Sequence, residues 1–241
     1  LNPIVIIPTY NEKENVSLMI DKVLGLSEEF DILIVDDNSP DGTAAIVASR
    51  LSEDNRIHLM KRAGKQGLGT AYIAGFKWCL EHNYEYIFEM DCDFSHNPED
   101  LVRLVAQLRQ NDTDMVIGSR YVNNVVNVVN WPMDRVLMSY FASAYVRFIT
   151  RMRVADATAG FVGYTRNVLQ TINLDKIKFK GYAFQIEMKY TAHRLGFTIK
   201  EIPIIFTDRT LGVSKMSGGI IREALFGVVS LRLKRISQRQ K

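Results

Sequence analysis

Cysteine is nearly missing from this chain: only Cys79 and Cys92 occur among its 241 residues. Two cysteines build no disulfide framework, and Cys92 stands between two aspartates where a cross-link is awkward, so a reducing compartment is expected. Long apolar runs are also lacking. The longest candidate, residues 136–146, is fenced by Arg135 and Arg147. A membrane-spanning helix needs about 20 apolar residues, so none is expected. The apolar run Ile4–Ile7 leads straight into Pro8 and is too short for a signal peptide. Neither sign of charge dominates, with 30 Lys and Arg against 27 Asp and Glu, and a net charge of +3 argues against bulk nucleic-acid binding. The turn Ile7-Pro8-Thr9-Tyr10-Asn11-Glu12 lacks the glycines that let a dinucleotide pyrophosphate approach a helix start, which excludes a nicotinamide enzyme. The stretch Gly64-Lys65-Gln66-Gly67-Leu68-Gly69 lacks the Lys-Ser/Thr ending of a P-loop and is expected to be a flexible helix entry lining a cleft.

What is present is an ordinary globular composition, 47% hydrophobic and 24% charged. Apolar runs at Ile4–Ile7, Ile32–Asp36, Tyr86–Asp91 and Met115–Ser119, with a weaker one at Arg56–Lys61, are continuous rather than alternating. Such runs suit strands buried on both faces. Helical patterns lie between them, with cap candidates at Asn11 or Asn15, Asp41 and Thr43, and Pro98 followed by Glu99 and Asp100. Alternating strands and helices imply an α/β fold with a mostly parallel sheet, whose ligands sit at the carboxyl ends of the strands. In the second half, residues 123–130 read as a loop and Met133–Met152 as an amphipathic helix. Leu137, Phe141, Ala144, Tyr145, Phe148 and Met152 share one face of that helix, opposite Arg135, Ser139, Ser143 and Arg147. Gly160–Thr165 and Thr198–Phe206 read as strands, and residues 182–195 and about 216–237 as helices.

The strongest chemical signal is Met90-Asp91-Cys92-Asp93-Phe94-Ser95. Carboxylates at i and i+2 of an extended chain share a face, and two hard oxygens at the ligand edge of a sheet suit Mg²⁺ or Mn²⁺. Adjacent Asp36 and Asp37 close another strand, placing one carboxylate over the cleft, where it can accept hydrogen bonds from a nucleoside, and one behind it. Tyr10 can stack on a base and Glu12 can bind polar edges. Arg120, Arg209 and Lys215 are suited to phosphate, the guanidinium as a bidentate fork and the ammonium as a point charge.

The runs Pro8-Thr9-Tyr10-Asn11-Glu12, Asp36-Asp37-Asn38-Ser39-Pro40-Asp41-Gly42-Thr43, Gly67-Leu68-Gly69, Asp91-Cys92-Asp93 and Gly118-Ser119-Arg120-Tyr121 occur in this order. Together with Asp156–Phe161, Gly181–Glu187 and Glu201–Lys215, they resemble dolichyl-phosphate (polyprenyl-phosphate) mannose synthases, inverting glycosyltransferases of GT-A fold. The resemblance implies GDP-mannose as donor and a polyprenyl phosphate lipid as acceptor. It implies that Pro8, Tyr10, Glu12, Val35 and Asp37 hold the guanosine. Asp91 and Asp93 would bind metal and diphosphate, with the Cys92 backbone and the Ser95 side chain nearby. Arg120 would contact the donor, and Arg209 and Lys215 the phosphates. Many relatives have Ala in place of Cys92, and some have Gln, a better ligand, in place of Ser95.

A phosphate acceptor needs no general base, since its second pKa of about 6 leaves it largely dianionic at neutral pH. Asp156 is therefore not assigned as a base, and Arg135, Ser139 and Arg120 are expected to grip the acceptor phosphate. The expected organisation is a catalytic domain over 1–215, with a nucleotide part to about 121 and an acceptor part from 122, then a basic segment over 216–241. The expected location is cytoplasmic and peripheral on a membrane, with a membrane-anchoring partner protein as a further possibility. Glucose or N-acetylglucosamine transfer, a glycan acceptor, and a non-catalytic nucleotide-binding subunit are the alternatives.

Overall fold

A computed structural model describes residues 2–122, 125–181, 183–208 and 227–233. The first half alternates strictly: β1 (Ile4–Thr9), α1 (Val16–Leu24), β2 (Asp31–Asp36), α2 (Thr43–Arg50), β3 (Ile57–Lys61), α3 (Leu68–Glu81), β4 (Tyr86–Glu89), α4 (Asp100–Leu108) and β5 (Met115–Ser119). There follow β6 (Val128–Val129), α5 (Met133–Thr150), β7 (Val162–Thr165), α6 (Arg166–Thr171), α7 (Ala183–Arg194), β8 (Ile199–Pro203) and β9 (Phe206–Thr207).

The main sheet has the order β3-β2-β1-β4-β7-β5-β8. β7 pairs antiparallel with both β4 and β5, while the other pairings are parallel. Every strand but β7 therefore points the same way, and the carboxyl ends of β1, β2, β4 and β5 open on one edge.

The continuous apolar strands are explained by two cores. Ile4, Ile6, Leu33 and Val35 pack toward Tyr72 and Phe76 of α3 and Phe184 and Met188 of α7. Their sequence neighbours Val5, Ile7, Ile32 and Ile34 pack toward Met19 and Ile20 of α1 and Leu101 and Leu104 of α4. Successive side chains of a strand point to opposite faces, so a strand covered on both faces must be apolar throughout. Inserting β7 demands a close approach: a Cβ on Gly163 would lie 2.4 Å from the Phe88 ring.

Several expectations need correction. The expected strand over 198–206 breaks at Ile204 into β8 and β9, and β9 pairs with β6, inside the stretch read as a loop. Asn15 precedes α1 without a capping side-chain bond; its amide donates to Glu12 instead. The cap position of α2 is Gly42, which makes no side-chain bond; Asp41, one residue earlier, accepts from the Thr43 N–H at 3.0 Å. On α5 the buried residues are Ser143, Val146 and Thr150, whereas Leu137 (47%), Phe141 (63%) and Phe148 (82%) are exposed. The apolar stripe of this helix thus divides: Leu137, Phe141 and Phe148 face outward, whereas Tyr145 lines the cleft and Met152 is buried beside Val146. Cys79 and Cys92 are both buried and unbridged. No described helix is long and apolar enough to cross a membrane.

Candidate active site

The open sheet edge forms one cleft of about 590 Å³. Pro8, Tyr10, Glu12, Asp37, Asp91, Cys92, Asp93, Arg120, Arg135 and Ser139 all line it. Residues as far apart in sequence as Pro8 and Ser139 meet because β1, β2, β4 and β5 end side by side, and α5 crosses beyond them.

The two aspartates ending β2 divide as their alternation requires. Asp36 is fully buried and accepts from Thr9 Oγ1, the Ser39 N–H and Ser39 Oγ, fixing the turn. Asp37 faces the cleft, with Arg62 Nη1 3.0 Å from its Oδ1. Burial raises the Asp37 pKa, partly offset by the charge of Arg62 and by the Gln66 N–H. Lys65 sits 4.8 Å over the Tyr10 ring, so the glycine-rich stretch contributes a cation to the cleft wall. Val35 corrects the expectation from resemblance: it is fully buried in the core and does not line the cleft, so its side chain is out of a ligand's reach.

Asp91 and Asp93 follow β4 and both face the cleft. Ser95 does not: it is 4% exposed and lies off the cleft wall. Its N–H donates to Asp93 Oδ1 at 3.1 Å and its carbonyl accepts from the Thr207 N–H. The Ser95 backbone thereby holds Asp93, while the Ser95 side chain is not part of the cleft wall. Among the described residues no group of three His, Cys, Asp or Glu side chains is arranged to cage a metal. A pair of carboxylates open to a cleft fits Mg²⁺ or Mn²⁺ shared with a phosphate, since such ions keep water and substrate oxygens in their remaining positions. It does not fit a closed structural site.

Arg120 is buried and held by Asp156, with Nε and Nη2 each 2.7 Å from a carboxylate oxygen, and Nη2 also donates to Thr158 Oγ1. Burial alone would raise the Asp156 pKa, but the guanidinium outweighs it and the net shift is downward. Asp156 is thus a permanent counter-ion, which agrees with leaving it unassigned as a base. Arg135 pairs with Asp208 at 2.9 Å and lies 4.1 Å from the Trp131 ring centroid. Arg209 and Lys215 lie outside the described residues.

Behind the cleft wall runs a buried polar chain. Gln185, which lines the cleft, donates to Glu89, and Tyr164 donates to the same carboxylate. Lys189 donates to the Ala159 carbonyl at 2.6 Å. Desolvation pushes Glu89 up to about 8 and Lys189 down to about 8. His96 also lines the cleft; burial lowers its pKa to about 4, so the imidazole is neutral. Sequence reasoning missed Gln185, His96, Trp131 and Arg62. Their partners are long-range, and only the polar runs around them offered a signal.

A doubly covered parallel sheet with one reversed strand, and a carboxylate-and-arginine cleft at its strand ends, defines a GT-A-type α/β transferase. Residues 4–172 match the model of glycosyl transferase family 2, and the chain belongs to that family. It is 47% identical over 226 residues to a polyprenol monophosphomannose synthase of Mycolicibacterium smegmatis, covering 93% of this chain and 84% of that protein. It is 47% identical over 223 residues to an undecaprenyl-phosphate mannosyltransferase of Micrococcus luteus, covering 92% and 90%. Among solved structures, glucosyl-3-phosphoglycerate synthase from Mycobacterium tuberculosis, in complex with Mn²⁺, UDP and glucosyl-3-phosphoglycerate, superposes with a TM-score of 0.67 at 16% identity, covering 100% of this chain and 82% of that one. A mannosyltransferase from Pyrobaculum calidifontis in complex with GDP-mannose and Mn²⁺ superposes with 0.59 at 18% identity, covering 96% and 62%. At these identities the structures speak for the fold.

Proposed function

We propose that this glycosyltransferase moves mannose from GDP-mannose to a polyprenyl phosphate with inversion, giving a β-mannosyl phospholipid. The observation that carries the reading is the division of one cleft. Tyr10, Glu12 and Asp37 form a nucleoside end, Asp91 and Asp93 an acidic centre, and Arg120, Arg135 and Ser139 a basic far end. The two relatives at 47% identity, named for mannosyl transfer to polyprenyl phosphates, support the same donor sugar and acceptor class.

In this reading Asp91 and Asp93 would hold Mg²⁺ or Mn²⁺, which would supply charge stabilisation to the departing GDP. An oxygen of the acceptor phosphate forms a bond to the anomeric carbon as the bond from that carbon to the β-phosphate oxygen breaks. The electron pair leaves with GDP. Arg135 and Ser139 orient the acceptor phosphate, and Arg120, fixed by Asp156, supplies positive potential without moving. The fixed ion pair leaves no carboxylate free to act as a base at Asp156, and an already anionic nucleophile needs none. Arg209 and Lys215 would hold the donor phosphates.

Phe141 and Phe148 of α5 are exposed, and Phe148 shares a surface groove with Arg151, Arg232 and Leu233, the last 79% exposed. A broad apolar face rimmed by arginines suits the interface of an anionic membrane, from which a lipid headgroup would enter the cleft. The direct test is transfer from labelled GDP-mannose to a short polyprenyl phosphate with Mg²⁺, Mn²⁺ or chelator. Metal-dependent formation of the mannosyl lipid is expected. Product formed equally well in excess chelator removes the metal from the reading, and no product with any metal removes the reaction.

A further inference from the structure

Arg135 stands in the first turn of α5, whose N-cap is Pro132. A cation there opposes the positive end of the helix dipole, so other contacts are needed to hold it. Asp208 lies 2.9 Å from its Nη1, and its Cζ lies 4.1 Å from the Trp131 ring centroid. The same indole lies 5.5 Å from Arg120 Cζ, and Phe206 stands edge-on to it at 5.2 Å. Trp131, Phe206 and both arginines line the cleft.

The small sheet of β6 and β9 brings these rings to the arginines. The Asn127 N–H donates to the Arg120 carbonyl, and the Phe206 N–H donates to the Asn127 carbonyl. Val128 pairs with Phe206, and Trp131 follows closely after β6. The ribbon thus ties both rings to the end of β5, where Arg120 stands. The two guanidinium groups are held differently. Arg120 has two points on fully buried Asp156. Arg135 has Asp208, whose side chain is 32% exposed, so water screens that pair and the indole face counts for more. The indole N–H has no hydrogen-bond partner among the described residues, so the ring acts through its face.

We propose that Trp131 is a positioning residue for the acceptor: propped by Phe206, it holds the Arg135 guanidinium in the cleft wall beside Arg120, so that one phosphate meets both. The incoming dianion takes over from Asp208 as the partner of Arg135, while the ring keeps the guanidinium in its plane. A phosphate there also relieves the conflict between Arg135 and the helix dipole. The assignment rests on the lipid-phosphate reading of this end of the cleft and adds the residue that sets the geometry of the clamp.

Isothermal titration of the full chain with farnesyl phosphate, in GDP and Mg²⁺, tests this. Trp131→Leu is expected to weaken farnesyl phosphate about tenfold, and Trp131→Phe, which keeps an aromatic face, no more than about threefold. GDP affinity is expected to stay within about twofold in both variants. In an Arg135→Ala background Trp131→Leu is expected to cost less than about twofold, because the ring acts through that guanidinium. Thermal melts establish that each variant is folded. Phe206→Leu serves where Trp131→Leu does not fold: about threefold weaker binding with Arg135 present and no loss in Arg135→Ala are expected, and unchanged affinity with Arg135 present overturns the proposal. Equal losses from Trp131→Leu with and without Arg135 would mean that the ring meets the lipid itself, and they overturn the proposal. So does Trp131→Phe binding as weakly as Trp131→Leu, or a matching loss of GDP. A wild type that shows the expected cycle yet forms no mannosyl lipid from GDP-mannose overturns the proposed function and leaves Trp131 in its role. A wild type without affinity for farnesyl phosphate overturns both.

Discussion

Arg120 and Asp156 face each other as a two-point ion pair, both buried, with the Arg120 N–H also donating to the same carboxylate at 3.0 Å. Glu201 in turn accepts from the N–H groups of Ala155 and Asp156. The pair therefore joins the end of β5 to the loop before β7 and to β8. Asp156→Asn removes one partner of a buried pair and is expected to cost about 3–5 kcal/mol in urea unfolding. The native pKa of Asp156 is held below its ordinary 3.8. Its contribution is therefore fully present above pH 3.8 and disappears as pH falls through the native value. The gap between wild type and variant is expected to be widest at neutral pH and to close in acid. A gap that stayed constant down to acid unfolding would contradict the pairing.

Asp91 and Asp93 are expected to act together on the metal. Mn²⁺ binding in the presence of GDP, followed by loss of the free-ion electron paramagnetic resonance signal, should weaken by at least about tenfold in Asp93→Ala. Transfer should vanish in the same variant. Ser95→Ala, which keeps the backbone N–H that donates to Asp93, is expected to bind Mn²⁺ within about twofold of wild type. A loss in Ser95→Ala equal to that in Asp93→Ala would restore the serine hydroxyl as a ligand.

Arg135, paired with Asp208, offers a test that separates acceptor from donor recognition. Arg135→Ala is expected to raise the KM for the lipid phosphate by roughly 10- to 100-fold, the loss of a charge-assisted contact worth about 1.5–3 kcal/mol. GDP affinity is expected to be unchanged. Equal losses for both ligands would place Arg135 in general cleft architecture instead.

The outward stripe of α5 predicts a division between membrane binding and chemistry. Phe141→Ser with Phe148→Ser is expected to reduce flotation with anionic liposomes while altering stability by no more than about 0.5 kcal/mol per site, because both rings are exposed. Transfer to a short, water-soluble acceptor should persist. Unchanged flotation would dismiss this face as the membrane contact.

Gly163 marks the tightest point of the sheet. Gly163→Ala drives a methyl group into the Phe88 ring, with Leu108 Cδ1 3.0 Å away on the same side. An overpacking cost of about 1–3 kcal/mol is expected in a thermal or urea melt. A variant as stable as wild type would mean that β4 and β7 can separate more freely than this packing allows.

The amino-acid sequence by itself determined the strand and helix succession of the first half, because a strand buried on both faces must be apolar without interruption. It also determined that one of the two adjacent aspartates faces the cleft while the other turns away, and that Asp91 and Asp93 share a side, because extended backbone alternates; that Asp37 is the one in the cleft is what the family resemblance implied and the structure shows. Tertiary structure alone decided what depends on partners distant in the chain. The insertion of β7 against the direction of its neighbours, the capture of Arg120 by Asp156, and the pairing of Arg62 with Asp37 leave no local periodicity to read. The same holds for α5: its amphipathic pattern fixes which residues share a stripe, but only the packing of Ser143, Val146 and Thr150 against the domain decides that Leu137, Phe141 and Phe148 face out while Met152 is buried. A hydrophobic face records what a helix can bury, whereas its orientation is settled by whichever contacts the whole chain makes.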